Sequence, residues 1–362
     1  MKTSTTATGA VNRDPVLDVT ARRIAGVQLP ITLWPIVAAS GDLPWPPQSD
    51  GDARRFVAHC ASEGLLPILF EAQPADVSPA LAGWRALNTA NQHRTRTIAR
   101  NIESLRELIG EEFALLKGSD YGYRLYAAPE LRPQVDIDVL VLRERVDAVT
   151  ERLQRFPRVY LHNTHRSPRW PDRSFDLGDV TLEVHHSIVQ RSRARIDYDA
   201  LWQRRVPFRG AARLADVDAL LVSVINIAKD DLATTLVRYL DLWLMLRSDA
   251  SLFDAAAARA HQWRITNAFD AVMRVLGTMF PDLAIPRRRR AVFERVLPLR
   301  HAAVRRDRKR NVTRRELLWR KAWLVDGVAR RALFALDTLA MSAHGWRGEA
   351  KSTLNDFSSL GR

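Results

Sequence analysis

The run V-D-I-D-V-L-V, Val135 to Val141, constrains the fold of this chain more than any other stretch. It has the composition of a buried β-strand, yet it carries two acids, Asp136 and Asp138. Side chains alternate faces along a strand, so residues two apart point the same way, with α-carbons roughly 6.5–7 Å apart. Asp136 and Asp138 therefore share one face, and Ile137 and Val139 share the other. Burying carboxylates is costly unless their charge is compensated. A fold that keeps this strand must bring a cation to it.

A third acid stands in V-T-L-E-V-H-H, Val180 to His186. Glu183 alternates with Leu182 and Val184 and shares its face with Thr181 and His185. If this strand lies beside the first, three acids cluster, and without a cation their repulsion raises pKa values and lowers stability. Hard divalent ions prefer oxygen ligands, and Mg²⁺ commonly takes one or two carboxylates together with substrate phosphates. Two such ions about 3.5–4 Å apart clamp in-line displacement at phosphorus. Asp136, Asp138 and Glu183 are thus candidate ligands for a pair of Mg²⁺ or Mn²⁺ ions. The plainer alternative is an Asp138 that pairs with an arginine at a strand end.

Upstream, E-E-F-A-L-L-K-G reads as an apolar strand that closes on Gly118 and Ser119, with a short helix over Ser119 to Tyr126. Glycine allows close approach of a backbone to a ligand, and the free N–H groups of a helix start suit a phosphate. The same dipeptide also serves as an ordinary turn, and the spacing of a Walker A loop is absent.

Around these elements the chain has a clear grain. Ile98, Ile102, Leu105 and Ile109 recur at helical spacing and predict a helix over Asn88 to Ile109, stopped by Gly110. Val146, Val149, Leu153 and Phe156 mark a second helix. R-V-Y-L-H-N-T-H, R-S-F-D-L-G and V-T-L-E-V-H-H-S-I read as strands separated by turn residues. L-L-P-I-L-F fits a helix or a strand equally. From about Asp199 four helices follow, over Leu214–Ala228, Asp231–Arg247, Leu252–Trp263 and Ile265–Met279. The expected class is α+β. A small mixed β-sheet core with helices, residues 111–200, is flanked by a flexible lead (1–15) and N-terminal helices (16–110). A helical domain (201–285) and a basic helical C-terminal extension (286–362) follow it.

With 46% apolar and 27% charged residues the composition is globular, and a disordered chain is excluded. The net charge of +14 attracts polyanions, whether nucleotides, nucleic acid or anionic lipid. One cysteine, Cys60, excludes an internal disulfide framework and fits a reducing compartment. The N-terminus lacks the apolar core of a signal peptide. Gly26 to Ser40 is interrupted by Pro30 and Pro35 and is too short to span a bilayer. A cytoplasmic protein with no transmembrane segment is expected. His162, His165, His185 and His186 do not follow a structural zinc pattern, and His185 is expected at the rim of the acid site. The basic runs at 287–290 and 305–315 fit a contact with RNA or an acidic partner, or simply a solvated helical face. Trp319 and Trp323 fit a core or interface, and the last helix, with Val328, Leu333 and Leu336, fits a membrane surface as a minor reading.

Taken together, L-L-K-G, R-L-Y, L-R-P and D-I-D-V-L-V, then V-T-L-E-V-H-H and D-Y-D-A-L-W-Q-R, resemble a bacterial family of uncharacterised nucleotidyltransferases. That family is part of the superfamily typified by DNA polymerase β. The later L-V-R-Y-L-D-L-W-L-M-L-R and the earlier E-G-L-L-P-I-L-F are similar to it too, so the resemblance spans roughly residues 55 to 280. It implies transfer of a nucleoside monophosphate from an NTP to an acceptor, a small molecule, peptide, protein or RNA, with pyrophosphate leaving. Asp136 and Asp138 match the metal-ligand pair, Glu183 the third acid, and Gly118 and Ser119 the turn that holds triphosphate. Lys117 belongs to the K-G of the motif, and Arg132 and Lys229 are further candidates for nucleotide phosphates. Arg238 is another such candidate, and Asp241 is expected to pair with it along one helix. The third acid is glutamate where aspartate is commoner, and the interval from Ser119 to Asp136 is long for such proteins. A non-catalytic nucleotide- or RNA-binding module of the same fold, or a tRNA-modifying toxin, are the alternatives.

Overall fold

The structure is a computed structural model that describes residues 33–73, 77–157, 159–161, 171–286, 300–310 and 312–343. The flexible lead, the arginines at 287–290, His162 and His165 lie outside the described residues. The described residues begin with helices α1 (Leu33–Ser40), α2 (Asp50–Ser62), α3 (Leu66–Ala72), α4 (Ser78–Leu81) and the long α5 (Arg85–Ile109). α2 begins where the Ser49 side chain accepts the Asp52 N–H. α3 is the helical outcome of the ambiguous L-L-P-I-L-F run, with its proline in the first turn, where no N–H is missed.

Next come β1 (Ala114–Leu115), α6 (Gly118–Arg124), β2 (Asp136–Leu140), α7 (Val146–Gln154), β3 (Tyr160–Leu161), β4 (Asp172–Asp176) and β5 (Thr181–His185). After α8 (Tyr198–Gln203), a hairpin of β6 (Val206–Phe208) and β7 (Ala211–Arg213) returns to the sheet. Helices α9 (Asp216–Lys229), α10 (Leu236–Ser248), α11 (Leu252–Gln262) and α12 (Thr266–Met279) form the helical region. Finally α13 (His301–Lys309), α14 (Arg314–Trp323) and α15 (Val328–Ala343) lie beyond it.

The seven strands make one sheet in the order β3-β4-β5-β2-β1-β7-β6. β5 runs parallel to β2 and β7 parallel to β1, and the other pairings are antiparallel, so the sheet is mixed. The architecture is α+β. The sheet continues past residue 200, because β7 adds itself to the edge of β1. That hairpin was not anticipated: three-residue strands around Pro207 are too short to show an alternation.

One face of the sheet is apolar. Ile137, Val139, Leu182, Val184 and Phe175 pack there against Ile98, Ile102, Leu105 and Ile109 of α5 and Val146, Val149 and Leu153 of α7. Each such side chain, fully buried, contributes roughly 1.5–3 kcal/mol. Gly110 ends α5 at φ 69°, a conformation glycine adopts without a steric cost. The apolar residues on the other side merge with α1–α4 and α9–α12 into a second, larger cluster. The acids of β2 face that side. No helix among the described residues is long and apolar enough to cross a membrane.

Candidate active site

Register decides the site. β2 and β5 pair in parallel with Asp138 directly beside Glu183 and Asp136 beside Thr181. Neighbouring residues in paired strands share a face, so both acids of β2 and Glu183 stand on the same side of the sheet. The Asp138, Glu183 and His185 ligand atoms all lie within 4.8 Å of one another. Asp136 stands two residues upstream on the same face, half-buried.

His185 is central rather than at the rim. Only 6% exposed, it places Nε2 2.8 Å from Asp138 Oδ1 and 3.3 Å from Glu183 Oε2. Its expected peripheral place was inferred from strand position alone, but the Asp138–Glu183 register draws the ring inward. On the other side of Asp138, the Lys117 ammonium donates to Oδ1 at 2.6 Å. Asp138 is therefore met by two cationic groups of the chain itself.

The titration behaviour follows from this packing. Burial opposes ionisation of Asp138, yet Lys117 and His185 outweigh it and hold its carboxyl well below the ordinary carboxylate range. Burial, joined by Asp138 and Glu183, pushes Asp136 up to about 7. For His185, burial and the Lys117 charge disfavour the imidazolium, but hydrogen bonds to Asp138 and Glu183 prevail and raise it to about 9. Burial likewise disfavours the Lys117 ammonium, and the field of Asp138, Glu183 and Asp136 overcomes it and raises its pKa.

A further acid, Asp172, was missed in the sequence. It opens β4 opposite His185, and burial, helped by Glu183, raises its pKa. The alternation of Asp172, Ser174 and Asp176 was the available signal.

The turn before α6 is tied to this acid face. Lys117 precedes the helix at φ 48°, ψ −127°, a left-handed conformation that non-glycine residues seldom adopt. Ser119 Oγ accepts the backbone N–H of Asp138 at 3.2 Å. A side chain at Gly118 would press on the Arg132 guanidinium, since a Cβ there would lie 3.0 Å from Nη1. Arg132 thus backs the glycine, while its Nε and Nη2 donate to Asp241 at 3.3 and 2.7 Å. Tyr126 Oη donates to the same carboxylate at 2.7 Å. The expected Arg238–Asp241 pair does not form. The Arg132 guanidinium reaches both Asp241 oxygens from 109 residues away, and Arg238 turns instead to Asp230 at 2.6 Å.

Lys229 ends α9 with its side chain open to solvent. Burial of its surroundings and the nearby Lys117 charge pull its pKa down, and it feels Glu183 as well. Its ammonium is thus near enough for the Lys117 and Glu183 charges to act on it. His186, on the reverse face, is lowered by burial and by Arg143 and has no part in the cluster.

The Asp138 and Glu183 carboxylates, with the His185 imidazole once its proton is lost, are a donor set that fits a hard or borderline divalent ion such as Mg²⁺ or Mn²⁺. Lys117 and His185 stand where they supply the charge such an ion brings. No curated protein and no solved structure matches the chain. Residues 49–281, which include every element of the acid face, match the family described as Uncharacterised nucleotidyltransferase, and the chain belongs to that family.

Proposed function

We propose that the protein is a divalent-metal-dependent nucleotidyltransferase. It moves a nucleoside monophosphate from an NTP to a hydroxyl or phosphate acceptor: an acceptor oxygen bonds to the α-phosphorus, the bond to the β-phosphate oxygen breaks, and pyrophosphate leaves. The observation that carries this reading is the register of β2 on β5, which sets Asp138 beside Glu183 on one face with Asp136 two residues away. Asp136, Asp138 and Glu183 would hold the divalent ion, which would lower the pKa of an acceptor hydroxyl and offset phosphate charge.

The residues of the chain do the rest. Gly118, without a side chain, and Ser119 present a close backbone turn to the triphosphate. Ser119, bonded to the Asp138 N–H, fixes the distance between that turn and the acids. Such fixed placement is what an in-line attack needs. Lys229 and Arg238 face the acids from the helical side and stabilise negative charge on the phosphates. Arg132 supports the turn through Gly118.

The test is incubation with α-labelled NTPs and Mg²⁺ or Mn²⁺, with cell extract as acceptor. Label should enter a protein, RNA or small-molecule fraction and should vanish in Asp136→Asn/Asp138→Asn. A second reading has its own support: Lys117 and His185 already neutralise Asp138, as a nucleotide-binding module without turnover would require. NTP that raises the melting temperature while no label moves would favour that module.

A further inference from the structure

Among the described residues five large apolar side chains stand exposed, and four of them, Trp319, Val328, Leu333 and Leu336, belong to α14 and α15. We infer that the outer face of α15, bordered by arginine, is a docking surface for an anionic lipid bilayer. α14 and α15 lie beyond the matched residues 49–281, so this surface is independent of the nucleotidyltransferase reading.

α15 is docked by one side. Phe334 is buried, Arg331 Nε donates to the Val325 carbonyl at 3.1 Å, and Arg330 Nη1 donates to the Arg191 carbonyl at 2.8 Å. Just before the helix, the Asp326 carboxylate accepts the Thr266 and Asn267 N–H groups at 2.7 and 2.8 Å and fixes the joint to α12. At roughly 100° per residue, Val328, Ala329, Ala332, Leu333, Ala335 and Leu336 fall on one arc of about 160°. All six are exposed, Val328 at 80%, Leu336 at 62% and Leu333 at 53%. The arc carries no charge, since Arg330, Arg331 and Asp337 fall outside it. A surface helix normally turns its polar side to water; α15 turns an apolar one.

Arginine borders this arc on both sides. Around the helix Arg330 lies beyond Leu333, and Arg331 lies beyond Ala335. Arg191, joined to Arg330 through its carbonyl, is itself exposed. The Arg193 guanidinium carbon sits 4.6 Å from the centre of the Phe334 ring, and that of Arg331 sits 4.4 Å from the Trp323 ring. Trp323 in turn meets the Trp319 ring edge-on at 5.5 Å. Trp319 is 46% exposed, and Arg315, one turn earlier on α14, is exposed with it. From residue 300 to 343 the chain carries twelve Lys and Arg against four Asp and Glu, an excess of eight within a net charge of +14. The segment that exposes the aliphatic side chains is thus also the one that concentrates the positive charge.

That combination selects the partner. On a bilayer with anionic headgroups, aliphatic side chains enter the acyl boundary, arginines meet the headgroup phosphates, and a tryptophan settles at the interface. A second copy of the chain would set these arginines against their own equivalents across a two-fold axis, and like charges oppose such a contact. A nucleic acid would find no aromatic ring on the α15 arc on which to stack a base. No helix among the described residues is long and apolar enough to cross a bilayer, so α15 engages by lying on it.

Flotation of the full chain with large vesicles is the test. One set contains one part phosphatidylglycerol to three parts phosphatidylcholine, and the other phosphatidylcholine alone. The protein should float with the anionic vesicles and stay behind with the neutral ones. Leu333→Ser/Leu336→Ser should weaken binding roughly tenfold or more, since two aliphatic side chains no longer enter the bilayer. Arg191→Gln should weaken it roughly fivefold through the lost charge. Both leucines are exposed, so the serine variant should melt at the temperature of the unaltered protein. A clear drop in that temperature shows the face to be covered within the chain and overturns the proposal. Equal binding to neutral vesicles, binding to neither set, or anionic binding that survives the serine variant overturns it too. A dimer in sedimentation equilibrium that the serine variant dissociates assigns the face to a second copy instead. An oligoribonucleotide that the serine variant ceases to bind assigns it to RNA, and either result overturns the lipid surface.

Discussion

Lys117 concentrates the electrostatics of the acid face in one side chain. It adopts a left-handed backbone and gives its ammonium to Asp138 at 2.6 Å. Strained backbone of this kind persists where surrounding structure over-determines it, and it clusters at functional sites. In Lys117→Met the buried Asp138 keeps only His185, and removing one partner of a buried pair costs roughly 3–5 kcal/mol. Urea unfolding of metal-free protein should show that loss, and added Mn²⁺ should recover part of it. The pH dependence has a definite sign. Asp136 titrates near 4 when unfolded and at about 7 when folded, so stability falls as pH rises through that window. His185 rises from about 6.5 unfolded to about 9 folded; its contribution is complete below the lower value and is lost as pH climbs through the upper one. The melting temperature of metal-free protein should therefore drop between pH 5 and pH 9. Mg²⁺ or Mn²⁺ should raise it more at pH 8 than at pH 5, where Asp136 keeps its proton. At this scale alternation placed Asp136 and Asp138 on one face, whereas Glu183 joins them only through the pairing of β5 with β2, which alternation does not give. The cations were not legible, because Lys117 is 21 residues from Asp138 and Arg132 is 109 from Asp241. No local pattern announces a pairing of that range.

Helices α9 and α10 act as the bench to which the turn is bolted. Tyr121 Oη, on α6, donates to the Ala219 carbonyl at 2.8 Å and accepts from Ser223 Oγ at 2.8 Å, both on α9. Asp241 of α10 holds Arg132 and Tyr126. The bench has its own clamp in Asp218, fully buried in the first turn of α9. Arg204 after α8 donates to it at 2.8 and 3.1 Å, and Arg259 of α11 at 2.6 Å. Asp218→Ala strands two guanidinium groups, and a loss of roughly 3–5 kcal/mol is expected. Denaturant midpoints should register it, and Asp218→Asn should restore part of it. The helices themselves were readable from their periodicity, with α9, α11 and α12 close to the expected spans, while α10 starts at Leu236, five residues after the expected Asp231. β6 and β7 were not, since a strand of three residues borrows its stability from the neighbour it joins.

At the scale of the molecule, one apolar cluster runs from α1 through the sheet's second face to α12 and reaches Val304 and Leu324 in the last helices. The basic run at 305–315 is consequently more than a solvated face. Arg305 pairs with Glu63, which is wholly buried at the end of α2, and also donates to the Thr234 carbonyl at 3.1 Å. Glu63 accepts the Leu236 N–H at 2.8 Å as well, so α2, α10 and α13 converge on one carboxylate. Arg305→Met should lower stability by roughly 3–5 kcal/mol, visible as a lower melting temperature of the full chain, and Glu63→Gln/Arg305→Met should recover much of it. Segments from the first and last quarters of the chain are thus tied together through Glu63 and Arg305. A sister protein that stops soon after the matched segment and keeps glutamate at this position leaves it the N–H at the Leu236 position and must draw the cation from elsewhere in its own fold.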